Sequence, residues 1–132
     1  MINKPKSKLK ITTLIRSLLI AEADIMTATN GHISPLIADK GTTGTFIVYQ
    51  RNAYKLQEVK QGVAGDTCEV LINVVSDDYD NSQDIAEKVL FALYGEKGEN
   101  GKYTITLGDS TEDVEVNDTS IKYIQVLLFE IN

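Results

Sequence analysis

Residues 67–75 read TCEVLINVV, and this stretch decides the fold because its side chains alternate with the period of two that is typical of a β-strand. One face carries four apolar residues and is predicted to be buried: Cys68, Val70, Ile72 and Val74. The other face mixes polar and apolar residues, which predicts that it is only partly covered: Glu69, Leu71, Asn73 and Val75.

A second β-rich stretch lies upstream, at Phe46 to Arg51, where Phe, Ile, Val and Tyr predominate. Tyr54 to Val59 alternates moderately and is predicted to continue into a further strand. Residues 61–66, QGVAGD, supply the turn before the 67–75 strand. Because this connection is too short for a crossover, the hairpin is predicted to be antiparallel.

The last third of the chain is also β-rich. Tyr103 to Leu107 alternates and predicts a strand, Gly108 to Ser110 is a turn signal, and a short strand carries Val114 and Val116. After a turn at residues 117–118, Ile121 to Ile131 is long and apolar enough to lie inside the sheet.

Two amphipathic helices are predicted from apolar residues spaced by three and four positions. The first helix carries Ile11, Leu14, Ile15, Leu18 and Leu19, and the second carries Ile85, Ala86, Val89, Leu90, Leu93 and Tyr94. Asp24 is predicted to cap a short extra turn that ends at residues 30–31, and capping residues within 77–82 precede the second helix, which Gly95 ends. A short extended piece is expected around Pro35, and residues 40–44 and 96–102 are predicted loops.

The order of helix, strands, helix, strands predicts an α+β fold, with a mostly antiparallel β-sheet and two amphipathic helices packed on one face. The 132 residues suffice for one core. We expect a flexible basic N-terminal arm over residues 1–8 and a single α+β domain over residues 9–132.

Charge and hydropathy exclude several classes of protein. No stretch of about 18 apolar residues exists, so no membrane-spanning segment is predicted. The net charge is −6, and general binding of nucleic acid needs clustered basic residues. Five of the 13 basic residues nevertheless fall within the first 16 positions, where there is no acid. This basic segment at the start of the chain either is solvated or docks on an acidic neighbour.

No residue pattern in the chain indicates catalysis or metal binding. His32 is the only histidine and lies in a predicted turn. Asp78, Asp80 and Ser82 resemble the start of a calcium loop, but Gln83 and Val89 stand where glycine and glutamate are needed, so helix capping is the simpler interpretation. Catalytic, cofactor-binding and metal-binding residues are therefore predicted to be absent, and no cofactor is expected.

Glycines and aromatic residues also have structural interpretations. Residues 41–45, GTTGT, lack the Lys-Ser/Thr ending of a phosphate loop and precede a strand rather than a helix. The six tyrosines lack the basic groove that single-stranded nucleic acid requires and are predicted to pack on the sheet. Cys68, the only cysteine, is predicted to be a small buried apolar residue.

The chain resembles the tail-completion (tail-terminator) proteins of long-tailed phages and prophages. Residues 14–19, LIRSLL, are similar to the first helix of that family, and residues 30–36, NGHISPL, to its glycine, hydrophobe and proline stretch. Residues 45–51, TFIVYQR, resemble its most recognisable strand, residues 69–74 its next strand, and residues 79–93 its second helix. The resemblance extends, in order, over nearly the whole chain.

This resemblance implies a virion structural protein without enzymatic activity. Such a subunit is made in the bacterial cytoplasm, assembles with itself into a ring that is commonly hexameric, caps the tail tube and contacts the head–tail connector. No membrane and no sequence-specific nucleic acid is implied as a partner. Another head–tail joining protein or a tail-assembly factor is the alternative, and a small enzyme or a binding module is a further one.

Overall fold

The computed structural model describes residues 7–98 and 101–132. The helices in this part are α1 (Ile11–Ile20), α2 (Ala23–Thr29) and α3 (Tyr79–Leu93). The strands are β1 (Ile33–Pro35), β2 (Phe46–Val59), β3 (Gly62–Ser76), β4 (Ile105–Val116) and β5 (Ile121–Ile131). The expected α+β class is thereby confirmed.

The five strands form one sheet in the order β1-β2-β3-β5-β4. All neighbours are antiparallel except β1 and β2, which run parallel. β5 lies between β3 and β4, as the apolar stretch at the end of the sequence predicts. The mostly antiparallel sheet and the antiparallel β2–β3 hairpin are both confirmed.

The core lies between the three helices and one face of the sheet. The register aligns Val70 with Phe129 and Ile72 with Leu127, so the alternating residues of β3 and β5 share this face. The four apolar residues predicted to be buried in residues 67–75 are all fully buried. The helices contribute a matching stripe of buried residues: Ile11, Ile15, Leu19, Ile25, Ile85, Val89 and Leu93.

The helix ends agree with the predictions except at two residues. Asp78 caps α3 by accepting a hydrogen bond from the Asn81 N–H at 3.0 Å. Asp24 is not a cap, because α2 begins one residue earlier and Asp24 lies within its first turn. Tyr94 does not belong to the buried stripe, because α3 ends at Leu93 and the Tyr94 ring is exposed.

Two predicted turns are parts of strands. β3 begins at Gly62, so the β2–β3 turn is confined to residues 60–61, and Gly65 lies at an irregularity of the ladder rather than in a turn. β4 continues through residues 108–110. Leu107 and Asp109 pair with Phe129 and Leu128, which are consecutive residues of β5, so Gly108 is the extra residue of a β-bulge. β2 is likewise one strand with an irregularity between Arg51 and Ala53.

Two predictions reach beyond the described residues. Residues 1–6 of the expected arm and residues 99 and 100 of the expected 96–102 loop lie outside them. Within the described part, Lys8 forms an ion pair with Asp66 and its side chain is mostly buried.

Candidate assembly surface

The face of the sheet opposite the helices carries a band of half-exposed apolar side chains, which we call the open face. Within residues 7–98 and 101–132 no helix packs on it. The alternation of β2, β3 and β5 that buries one set of side chains against the helices directs the other set here. The partly exposed apolar members of the open face are Phe46, Val48, Leu71, Ile124, Val126 and Leu128, whereas Val75, which the sequence placed on the same partly covered face, is buried.

Two shallow concavities lie on the open face. The larger, of about 390 Å³, extends over Phe46, Val75 and Ile124, from Leu36 and Ile37 on its β1 side to Glu115 and Lys122 on its β4–β5 side. The smaller, of about 130 Å³, is lined by Leu71, Val126 and Leu128 on one side and by β4 residues on the other. The open face is therefore an apolar trough rather than an enclosed pocket.

A short segment directly after β1, Leu36–Ile37, borders the trough, and we call it the corner. Leu36 has a φ of 65°, in the left-handed region that leucine rarely adopts. Its N–H donates to the Tyr49 carbonyl at 2.8 Å, and the Ile37 N–H donates to the Pro35 carbonyl at 2.6 Å. The Leu36 and Ile37 side chains are 71% and 78% exposed, so the corner presents two apolar side chains to solvent.

Acidic side chains border the trough along β4. Asp109 lies opposite Leu128, Asp113 opposite Ile124 and Glu115 opposite Lys122, so all three acids share the open face. Lys122 forms an ion pair with Asp77, and among the described residues no ion pair involves the three β4 acids. This border therefore carries uncompensated negative charge.

A charged contact fixes the start of the described chain to the β2–β3 hairpin. Asp66 accepts hydrogen bonds from the Lys8 ammonium and from the Tyr54 hydroxyl, the latter at 2.7 Å. Burial raises the pKa of the Asp66 carboxyl, but the hydrogen bonds from Lys8 and Tyr54 outweigh that effect and the pKa is lowered overall. The pKa of Tyr54 is raised, by burial first and then by its hydrogen bond to Asp66.

A second polar cluster joins β4 and β5 to the start of α3. The buried Gln125 amide donates to Glu112 at 2.7 Å and to Ser82 at 3.2 Å. Hydrogen bonds from Gln125 and then from Tyr79 lower the pKa of the Glu112 carboxyl, and the bond to Glu112 raises the pKa of Tyr79. Tyr79 also packs edge-on against Tyr123 with ring centroids 5.5 Å apart. These hydrogen bonds connect β4 and β5 to the first turn of α3.

The residues that the sequence singled out do not converge on one site. His32 is half-buried, and its main chain pairs with Thr29 and Ile47, while no described carboxylate or nucleophile hydrogen-bonds its imidazole. The helix-capping interpretation of the acidic residues before α3 is confirmed by the Asp78 cap. Among the described residues, no group of three or more His, Cys, Asp or Glu side chains is arranged to hold a metal ion.

The loop and the cysteine have the structural roles that the sequence predicts. Residues 41–45 form a loop that leads into β2, and the Thr45 hydroxyl lies 3.0 Å from that of Ser76. Cys68 is fully buried, and burial raises the pKa of its thiol. The tyrosines differ from one another, because Tyr49 is buried in the core whereas Tyr94 is exposed.

Neither the corner nor the acidic border is apparent from the sequence pattern. The period of two in residues 67–75 does predict a partly covered second face. The exposure of Leu36 and Ile37 has no comparable signal, because it depends on a left-handed backbone at a residue type that rarely adopts one.

In the described part of the chain, no helix is both long and apolar enough to cross a membrane.

The fold has a counterpart among solved structures. A chain of the structure described as the virion of a native gene transfer agent (GTA) particle superposes with a TM-score of 0.65. The match covers 89% of this chain and 90% of that one, at 14% sequence identity. The two chains therefore share their fold over almost their whole lengths. No protein-family model and no curated protein sequence matches.

Proposed function

We propose that this chain is a structural subunit of a phage or phage-like virion, and specifically a tail-completion (tail-terminator) subunit. The single observation that carries the proposal is the end-to-end match of fold with a chain of a gene transfer agent virion. Because the match covers both chains almost completely, it concerns the whole domain rather than a common supersecondary motif. The sequence resemblance to tail-completion proteins supports the more specific role.

The surface of the molecule supports a role in assembly rather than catalysis. Exposed apolar side chains occur at the corner, on the β4–β5 hairpin at Val114 and Val116, and on α3 at Phe91. The corner and the apolar side chains of the open face line one concavity, and contiguous exposed apolar surface of this kind is typical of proteins that associate with others. The two concavities of the open face are shallow and open, and neither is lined by residues of the two hydrogen-bonded polar clusters.

In this role the subunit assembles with other copies into a ring, commonly hexameric in related terminators, at the end of the tail that faces the head. One side of the ring contacts the tail-tube protein and the other the head–tail connector. The net charge of −6 supports passage of DNA, because a negative lumen repels phosphate and favours sliding over binding. Normal DNA ejection after the lumen-facing acids are neutralised would contradict this part of the proposal.

Deletion of the gene in a particle-producing bacterium tests the role directly. We expect unjoined heads, and tails longer than normal in electron micrographs, because an uncapped tube continues to polymerise. Plasmid-borne wild-type protein should restore particles and is the control. Mass spectrometry of purified wild-type particles should detect the protein, and normal joined particles from the deletion strain would refute the proposal.

The same experiment separates the alternative function. Tails of normal length that stay unjoined would indicate a different head–tail joining protein. Absence of the protein from purified particles, with tails lost in the deletion strain, would indicate a tail-assembly factor. The full-length match to a chain within a virion structure favours a component that stays in the particle.

A further inference from the structure

A groove of about 450 Å³ lies where the chain enters α1. Its apolar lining is formed by Ile11, Leu14 and Tyr103, and Lys10 and Lys102 line it at exposed positions. Among the described residues, no ion pair involves either of these two lysines. This surface, which we call the basic groove, therefore combines an apolar lining with two unpaired positive charges.

The acids near the basic groove do not cancel its charge. The third lysine of its lining, Lys8, forms an ion pair with Asp66. The pKa of Tyr103 is raised by burial first and then by the carboxylate of Glu96, so a second acid lies in the vicinity. Neither acid lines the groove, and the two unpaired lysines leave a net positive charge there.

The turn end of the β4–β5 hairpin carries the opposite charge beside exposed apolar side chains. Residues 112–123, which we call the acidic tip, hold four acids and one base, and that base, Lys122, is already part of an ion pair. Val114, Val116 and Ile121 are exposed and share one face of the hairpin, because Val116 pairs with Ile121 and Val114 lies two residues before Val116. The acidic tip therefore matches the basic groove in both its charge and its apolar content.

The acidic tip has no complementary partner in its own chain. It shares two open concavities with other segments, one beside Thr42 and Thr43 and one on the open face. Among the described residues that line these concavities, Lys122 is the only base. Val116 remains 69% exposed, so neither concavity covers it.

Geometry prevents the acidic tip from reaching the basic groove of the same chain. Tyr103 of the groove lies two residues before β4 begins, whereas the tip lies where β4 ends. The strand spans Ile105–Val116, and at about 3.3 Å per residue its two ends are roughly 35 Å apart. A second copy is free to bring its tip to the groove. Because such a contact joins two different surfaces, successive copies are joined head to tail, as in a ring.

We propose that the acidic tip of one copy docks in the basic groove of the next copy. The exposed face with Val114 and Val116 then covers the apolar lining, and Glu115 and Asp118 approach the unpaired lysines. The inference rests on the proposed function in that a ring subunit must contact its neighbour, and it specifies the two surfaces of that contact. Because exposed charges contribute to it, we expect the association to weaken as the salt concentration rises.

Cysteine cross-linking between two differently tagged chains tests the contact. One chain carries Ser7→Cys, in the lining of the basic groove, and the other carries Asn117→Cys, in the turn of the acidic tip. A short bis-maleimide should join them. The matched control pairs Ser7→Cys with Gln61→Cys, because Gln61 is an exposed turn residue of the β2–β3 hairpin, where residues 58–61 hold one acid and one base. Cys68 is fully buried, so it does not compete for the reagent.

We expect the Asn117→Cys pair to give at least about five-fold more cross-linked heterodimer than the control pair at low salt, a ratio that corresponds to about 1 kcal/mol. In about 1 M salt the ratio should fall towards one, because the screening length shortens to about 3 Å. A ratio that stays high in salt would contradict the role of the charges.

Exchange of the charges identifies the groups in contact. Glu115→Lys with Asp118→Lys in the chain of the acidic tip should lower the yield to the control level. Lys10→Glu with Lys102→Glu in the chain of the basic groove should then restore it. The restoration is decisive, because a variant that merely unfolds is not rescued by a change in another chain.

A charge reversal away from the acidic tip controls for net charge. Asp84 and Glu87 are exposed on α3, and neither lines the groove or the tip's two concavities. Asp84→Lys with Glu87→Lys in the chain that carries the tip should leave the yield high. An equal loss of yield in this variant would contradict a contact made through the tip.

Equal yields for the two cysteine pairs would overturn the inference, and particle assembly then shows what the basic groove binds. If the Lys10→Glu, Lys102→Glu chain fails to restore joined particles in the deletion strain, the groove binds an acidic segment of another virion protein. If that chain restores particles as the wild type does, the groove has no partner in the particle. In both cases the role in the virion stands, since only normal joined particles from the deletion strain itself would refute that role.

Discussion

The main-chain N–H of Leu36 donates a 2.8 Å hydrogen bond to the carbonyl of Tyr49, and this bond extends the β1–β2 pairing by one residue into a left-handed turn. Tyr49 is buried in the core, so the bond connects an exposed and strained residue to a fixed one. The conformation of the corner is therefore set by the sheet rather than by the side chains of Leu36 and Ile37.

Replacement of Leu36 by asparagine should stabilise the isolated protein, because asparagine tolerates the left-handed region better than leucine does. We expect the free energy of unfolding in urea to rise by up to about 1 kcal/mol. Ile37→Asn is the control and should give no such gain, because Ile37 does not have a positive φ. A loss of stability in Leu36→Asn would mean that the leucine side chain packs on its own chain.

Leu127 and Leu128 are consecutive residues of β5 with opposite roles. Leu127 points into the core and Leu128 to the open face. We expect Leu127→Ala to cost about 2–5 kcal/mol of unfolding free energy, the range for a buried leucine. Leu128→Ala should cost about 1 kcal/mol, because its side chain is already half-exposed.

In an assay of self-association, Leu128→Ala should have the larger effect and Leu127→Ala the smaller, the opposite of their order in stability. Leu128→Ala should weaken self-association in sedimentation at high concentration, whereas Leu127→Ala should leave it unchanged at temperatures where that variant remains folded. Equal effects of the two substitutions on stability would show that the open face is covered within the single chain.

Most of the sheet follows from local pattern. The period of two in residues 67–75 predicts both the burial of Val70 and the partial exposure of Leu71, because alternate side chains of a strand face opposite sides. α3 is equally clear, since a capping aspartate precedes a stripe with the helical period. These elements are predictable because local preference and tertiary packing agree.

The errors arise where tertiary pairing overrides local preference. Gly108 with Asp109 and Ser110 is a turn signal, yet β5 supplies a partner along this whole segment and the ladder accommodates the glycine as a bulge. The left-handed Leu36 is not predictable from sequence, because the Tyr49 carbonyl that holds it belongs to a different segment. The candidate surface could thus be predicted as a half-exposed face, but its bordering corner could not.

The Lys8–Asp66 contact makes the stability of the protein depend on pH. The pKa of Asp66 is lowered in the folded chain from an ordinary value of 3.8. A carboxyl whose pKa falls on folding contributes stability that is fully present above its unfolded pKa and is lost as the pH falls through its folded pKa. We therefore expect this contribution at neutral pH and its loss below about pH 4.

Asp66→Asn measures this contribution. It should lower the unfolding free energy in urea by about 1 kcal/mol at pH 7, the typical value for one hydrogen-bonded contact. The difference from wild type should shrink towards zero in titrations below pH 4. Asp24→Asn is the control, because Asp24 pairs with Lys88 at 3.7 Å on an exposed surface and should contribute little. A pH-independent difference for Asp66→Asn would assign the loss to packing rather than to charge.

Cys68 should be chemically inert in the folded protein. Cys68 lies on β3, between β2 and β5, and its side chain is fully buried in the core. Burial raises the pKa of the thiol, so little reactive thiolate exists at neutral pH. We expect negligible reaction with a thiol-specific disulfide reagent in buffer and complete reaction in denaturing urea. Ile37→Cys gives the comparison within one molecule, because its exposed thiol should react at once while Cys68 stays protected. Rapid reaction of Cys68 in the native wild type would show that the core face of β3 opens to solvent.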